Sequence, residues 1–171
     1  ELWVTAQIFN EEYSTQAEKV QKEARRRLKL WSDPKTVSEA EKPGNMLVVF
    51  GRYEDEKGIG KLPELRHIGA CENIERICGQ QRSDFFAFIH WPFKEAIEDE
   101  EILRNEVSMV LQITVSDSMS IFKLLMGGDA GCEVWENVYL KSEEKGNLDK
   151  LDWDIFLIPH NLTNKFFTKK E

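Results

Sequence analysis

An α+β domain, with a mainly antiparallel or mixed sheet and two or three helices packed on it, is the fold class the sequence predicts. Three observations lead there. Apolar residues recur at steps of three and four between residues 11 and 31, the helical period, but alternate strictly over 107–115, the strand period. Strand-like and helix-like stretches, roughly six and three, mix without regular βαβ alternation. Hydrophobic residues make up 41% of the 171 positions, enough to build a core and to exclude a disordered chain. A three-layer α/β arrangement ranks second. The chain reads as one globular domain over 1–171.

Leu2 to Phe9 reads as a first strand, with Leu2, Val4, Ala6 and Ile8 on one face. Asn10 can cap the helix that follows, and Glu11 and Glu12 suit its first turn. Tyr13, Ala17, Val20, Ala24, Leu28 and Trp31 form its apolar stripe. Pro34 closes it, because helical geometry is disfavoured just before proline. A short helical turn fits Val37–Lys42, and Pro43-Gly44 marks a turn. MLVVFGRYE from Met46 has apolar side chains on both faces, the pattern of a central strand. The charged stretch DEKGIGKLPE reads as an exposed loop or hairpin tip.

Over 65–83 a short strand at Arg66–Cys71 and a helical turn from Glu72 to Cys78 are expected. Asp84 to Trp91 is an apolar strand stopped by Pro92, and Phe93 to about Glu106 reads as an acidic helix. Val107, Met109, Leu111, Ile113 and Val115 then share one face of a strand. Ser116 and Asp117 offer oxygens to cap a helix carrying Met119, Phe122, Leu125 and Met126, which Gly127-Gly128 would end. Cys132–Leu140 reads as a strand, and 153–158 as the last strand, paired with it as an antiparallel hairpin.

The formal charge of −8 disfavours general nucleic-acid binding. No apolar run approaches the ~20 residues of a membrane helix, so no membrane partner is expected. The three cysteines cannot all pair within the chain, and the start lacks the pattern of a signal peptide. Free thiols in an intracellular compartment, cytoplasm or nucleus, are expected. The absence of an initiating Met and the charged end suggest a domain excised from a larger protein.

Five arrangements bear on chemistry. Lys19, Lys22, Arg25, Arg26 and Lys29 gather on the far side of the first helix, where they suit an acidic partner or a phosphate, or simply face solvent or the acidic 94–106 stretch. His67, Cys71, Cys78 and Cys132 have the ligand chemistry for zinc, but they lack any CxxC knuckle. Neither glycine group reads as a phosphate loop: Gly127–Gly131 follows the expected helix and precedes the expected strand, the context of a helix C-cap and turn, and Gly58–Lys61 lacks the full G-x-x-x-x-G-K-[ST] pattern. Among His67, His90 and His160, His90 sits at the end of an apolar strand and reads as packed, and no serine lies in a G-x-S-x-G elbow. Glu136 and Lys141 would point to opposite faces of a strand, which counts against a carboxylate-metal nuclease. Trp91, Trp135 and Trp153 are stacking platforms only if exposed.

The leading expectation is a non-enzymatic domain that docks a protein partner through a groove, a sheet edge or a charged helix face. Its binding residues would be Lys22, Arg25, Arg26, Lys29 and Trp91, and it would need no cofactor. The alternatives are an RNA- or nucleotide-binding module using the same basic face with an exposed tryptophan, and a metal-dependent enzyme.

Overall fold

A computed structural model describes residues 1–9, 15–51, 59–93 and 104–157. Strand β1 (Leu2–Thr5) leads through a 3-10 turn to helices α1 (Thr15–Ser32) and α2 (Val37–Ala40), then to β2 (Leu47–Phe50). Short strands follow: β3 (His67–Ile68), β4 (Asn73–Ile74), β5 (Arg76–Ile77) and β6 (Gln80–Gln81). The longer β7 (Phe85–Trp91), β8 (Val110–Ser116) and β9 (Ile121–Met126) precede α3 (Cys132–Lys145) and β10 (Ile155–Leu157). The fold is α+β, with one parallel sheet in the order β1-β2-β3 and one mixed sheet in the order β10-β9-β8-β7-β4. β5 and β6 form a separate small ribbon.

The buried side chains arrange these elements in four layers. Ala24, Leu28 and Trp31 of α1 pack on Val4, Leu47 and Val49 of the small sheet. The next residues along β2, Val48 and Phe50, point the other way and meet Ile74, Ala87, Ile89 and Leu111 of the large sheet. β2 is therefore buried on both faces, which is why it has no polar side. On the far face of the large sheet, Val110 and Trp91 pack against Val134 and Val138 of α3. The order is helix, sheet, sheet, helix.

The first helix keeps its expected register with one exchange. Val20 is exposed, and Gln21 lies in the buried stripe, where its amide donates to the Ile8 carbonyl at 2.7 Å. The first strand ends at Thr5, and Ala6–Phe9 turns away as a 3-10 segment. The expected helix start at Asn10–Ser14 and most of the expected 93–106 helix lie outside the described residues; Arg104–Val107 is a 3-10 turn.

Four expected elements are corrected. Residues 117–126 form no helix: Asp117 Oδ1 accepts the Met119 and Ser120 amides at 2.7 Å, and the chain returns as β9 against β8. An Asp oxygen that captures amides two and three residues on serves a tight turn as well as a helix cap. Residues 132–140 belong to helix α3 rather than a strand. The spacing of four between Trp135 and Tyr139, and between Val134 and Val138, suits a period of 2 and a period of 3.6 alike. The last strand β10 accordingly pairs with β9, in parallel, and not with 132–140. Glu72–Cys78 holds β4, β5 and the start of a turn instead of a helical turn.

The large sheet is wider than the small sheet that covers it. The register Val115↔Phe122 across β8–β9, and Ile155↔Leu124 with Leu157↔Met126 across β9–β10, puts these side chains on the face that carries Leu111. Val115, Phe122, Ile155 and Leu157 are exposed there, 40–47% each. Among the described residues, no helix is long and apolar enough to cross a membrane.

Candidate functional site

The outer edges of the two sheets border one continuous groove. β3 ends the small sheet and β4 ends the large one. Pro63 opens the 3-10 turn Glu64–Arg66, with the Arg66 amide donating to the Pro63 carbonyl at 2.8 Å. That turn sends Leu65 outward, 67% exposed, while Arg66 turns in. The Arg66 guanidinium lies 6.0 Å over the Trp31 ring and pairs with the Glu1 carboxylate. Glu1 Oε2 also accepts the Trp3 indole N–H and the Cys78 amide, both at 3.1 Å. Three donors on one buried carboxylate offset the desolvation that an ion pair in this position costs. The network fixes β1, the entry to β3 and the β5–β6 turn together.

That turn is a two-residue hairpin with Cys78 at φ 51° and Gly79 at φ 77°. Both central residues are left-handed, the combination that matches strand twist. A Cβ on Gly79 would only touch the Arg66 guanidinium at 3.4 Å and the Met46 methyl at 3.5 Å, so it is the left-handed φ of 77°, not lack of space, that favours glycine there.

Two cavities make up the groove. One, of 360 Å³, is floored by Trp31, Met46, Val48 and Ile74, with Glu41 and Arg76 also at its walls. The other, of 330 Å³, shares Leu65, Ile74 and Arg76 with the first and adds Glu64, Glu72 and Glu75. The arrangement offers apolar contact, charge and two strand edges.

The expected binding cations occupy a different surface. Lys22, Arg25, Arg26 and Lys29 are all exposed on the outer side of α1. Lys22 pairs with Glu18 at 2.6 Å, and Arg26 with Glu23 and with Asn45 Oδ1 at 2.8 Å. Arg27 also bonds Glu23 and the Met46 carbonyl, each at 2.8 Å, and so ties α1 to the start of β2 beside the groove. The two guanidinium groups hold the Glu23 carboxyl down to about 2 from its ordinary 4.5. A depressed carboxylate contributes stability above pH 4.5 and loses it as the pH falls toward 2. Because the pair is partly exposed, Glu23→Gln should cost at most about 1 kcal/mol at neutral pH. Urea titrations should show that difference shrinking as the pH is lowered from 5 toward 3; an undiminished difference contradicts the assignment.

Trp91 does not join those cations. It is buried in the α3 core, its indole donating to the Glu106 carbonyl at 2.6 Å, so it presents no stacking surface. Trp135 is half-buried and meets Phe156 edge-on at 5.1 Å, whereas Trp153 is exposed. His90 is packed, as its sequence context suggests, and is bound at both ring nitrogens.

His67, Cys71, Cys78 and Cys132 do not converge. Cys132 begins α3, while the Cys71 thiol bonds Asn147 just beyond the other end of that helix, roughly 20 Å away at 1.5 Å per residue. Burial pushes the Cys71 thiol up, away from the thiolate form that binds metal. Cys78 lies at the groove. Among the described residues no group of three His, Cys, Asp or Glu side chains could hold a metal ion.

The second glycine group changes context, because it follows strand β9 and precedes helix α3. It still makes a poor anion loop. Asp129 and Glu133 put carboxylates at the start of the helix, and a Cβ on Gly127 would come within 2.3 Å of the Trp135 ring. Glycine there serves packing. Glu136 and Lys141 lie on α3, where Lys141 pairs with Glu144 at 2.9 Å.

Sequence reasoning missed the groove because its walls come from positions as far apart as 31, 46, 65 and 74. Its one local sign is Leu65, a large apolar residue in an otherwise charged turn. The chain matches no family model, no curated protein and no solved structure.

Proposed function

We propose that this chain is a non-enzymatic protein-interaction domain that receives an extended partner segment in the groove between β3 and β4. The observation that supports this reading is a groove with an apolar floor running along two sheet edges, neither of which has a further strand beside it among the described residues. A strand edge offers backbone donors and acceptors, and adjoining pockets sort alternate side chains. Selection of peptides from a random display library, followed by amide-exchange mapping of the complex, tests it. Protection should concentrate at His67–Ile68 and Asn73–Ile74. Failure to enrich any peptide over a denatured control, or protection confined to α1, sinks the reading.

A second reading, recognition of RNA or a nucleotide by α1, has one observation in its favour: Lys19, Lys22, Arg25, Arg26 and Lys29 are all exposed. Phosphate binding through them would weaken steeply with added salt, and filter binding across a salt series separates the two readings.

A further inference from the structure

The walls of the groove constrain the chemistry of the segment it would receive. Resting on the proposed function, we infer that the bound segment carries cationic as well as apolar side chains, with its cations at the end of the groove formed by Glu64, Glu72 and Glu75.

The charge balance of the groove supports this. Glu1 and Arg66 neutralise each other within the wall. Among the described residues, the side chains that then face the space are four carboxylates, Glu41, Glu64, Glu72 and Glu75, and one guanidinium, that of Arg76. Glu64 and Glu75 are exposed. Glu72 accepts the Gly69 amide at 3.1 Å and Glu75 accepts the Gln81 amide at 2.8 Å, so both carboxylates are held in position at the groove. An acidic segment would bring like charges together on a domain already at −8. A nucleic-acid backbone meets the same obstacle.

The apolar floor supplies the other half of the specificity. Trp31, Met46 and Ile74 are buried beneath the first cavity, and Leu65 projects at the rim the two cavities share. In an extended segment alternate side chains face the same way and stand about 7 Å apart. One can enter the apolar cavity while the next on that face reaches the carboxylates. Lysine and arginine suit the boundary, since their aliphatic stems pack on apolar surface while the charge stays at the acidic end.

The test uses capped, fluorescein-labelled peptides of equal length in which Leu and a variable residue follow each other along one face with Ser between them, Leu-Ser-Lys-Ser, Leu-Ser-Ser-Ser or Leu-Ser-Glu-Ser repeats (named Lys-Leu, Ser-Leu and Glu-Leu), titrated against the whole chain by anisotropy. The Lys-Leu peptide should bind, the Ser-Leu peptide should bind about tenfold more weakly, and the Glu-Leu peptide weakest of all. The double variant Glu64→Lys with Glu75→Lys should weaken the Lys-Leu peptide at least about tenfold. Glu133→Lys with Glu136→Lys, exposed near the start of α3 and outside the groove lining, makes the same charge change and should leave binding within about twofold. Circular dichroism confirms that each variant is folded. Equal weakening by both double variants reduces the effect to net charge and overturns the inference. Binding of the Ser-Leu or Glu-Leu peptide as tight as that of Lys-Leu, abolished by Leu65→Asp, overturns the cationic class and leaves the groove reading standing. No binding of any of the three overturns both.

Discussion

Phe50→Ala should destabilise the protein by about 3–5 kcal/mol, the largest loss expected from a single side chain here. Phe50 is wholly buried at the end of β2 and points into the layer between the two sheets. Its ring meets Trp3 edge-on at a centroid distance of 5.6 Å. Trp3 in turn meets Phe85 of β7 at 6.3 Å, so an aromatic chain crosses from the small sheet to the large one. Removing the ring leaves a cavity that two hydrogen-bonded sheets cannot close, because neither backbone can collapse into it without breaking its ladder. Phe50→Leu refills most of the volume and should lose considerably less. Equilibrium urea unfolding of both variants decides the matter, and similar midpoints for Phe50→Ala and the parent would show that the sheets do not pack as described.

His90→Ala should cost about 3 kcal/mol or more, and it should also remove a pH dependence. His90 is buried between the large sheet and α3. Nε2 lies 2.9 Å from the Lys150 carbonyl, which can only accept, so that nitrogen carries the proton. Nδ1 then accepts from the Ser142 hydroxyl at 3.1 Å. The ring is neutral, doubly bonded, and bridges β7, α3 and the turn before β10. Removing it opens a cavity and leaves the buried Ser142 hydroxyl without its acceptor.

Burial pushes the His90 pKa below its ordinary 6.5. Below pH 6.5 the unfolded chain therefore binds a proton that the folded chain does not, and stability falls as the pH drops until the folded value is reached. The slope approaches about 1.4 kcal/mol per pH unit within that window. His90→Asn keeps a polar side chain without titrating, so urea midpoints measured from pH 7 to pH 5 should fall less steeply for it than for the parent. Parallel pH profiles would show that His90 is not held neutral.

How far the fold can be read from the residues depends on which periods overlap. β2 and β7 are legible because a short, wholly apolar run bounded by turn residues has few alternatives. α1 is legible because its stripe runs for several turns, and Gln21 enters that stripe only through a hydrogen bond to Ile8, which lies outside the helix. The segments 117–126 and 132–140 exchange their types for two separate reasons. Asp117 performs one act, capture of two amides, that fits a cap and a hairpin equally. Val134 and Val138 recur at an interval common to both periods. With the helix and strand exchanged, Gly127–Gly131 also changes from a helix end to a strand-to-helix link. The basic face of α1 is legible as exposed; its partners Glu18 and Glu23 lie one turn away on the same helix, whereas Asn45 becomes a partner only once the turn at residue 45 is folded against the helix. The groove depends on where two sheet edges come to lie, and no local pattern records that.

The part of the large sheet that no described element covers bears on how copies of the molecule behave in concentrated solution. Val115, Phe122, Ile155 and Leu157 form an apolar strip beside an outer strand, a surface that tends to stick to its own kind. The strip runs across β8, β9 and β10, and like charge opposes the approach of two copies along it. The formal −8 supplies that repulsion. Its range is about 10 Å at 0.1 M salt and about 3 Å at 1 M. Added salt should therefore shorten the reach of the charge while leaving the apolar strip as it is, and light scattering at about 0.1 M and about 1 M salt checks whether self-association rises.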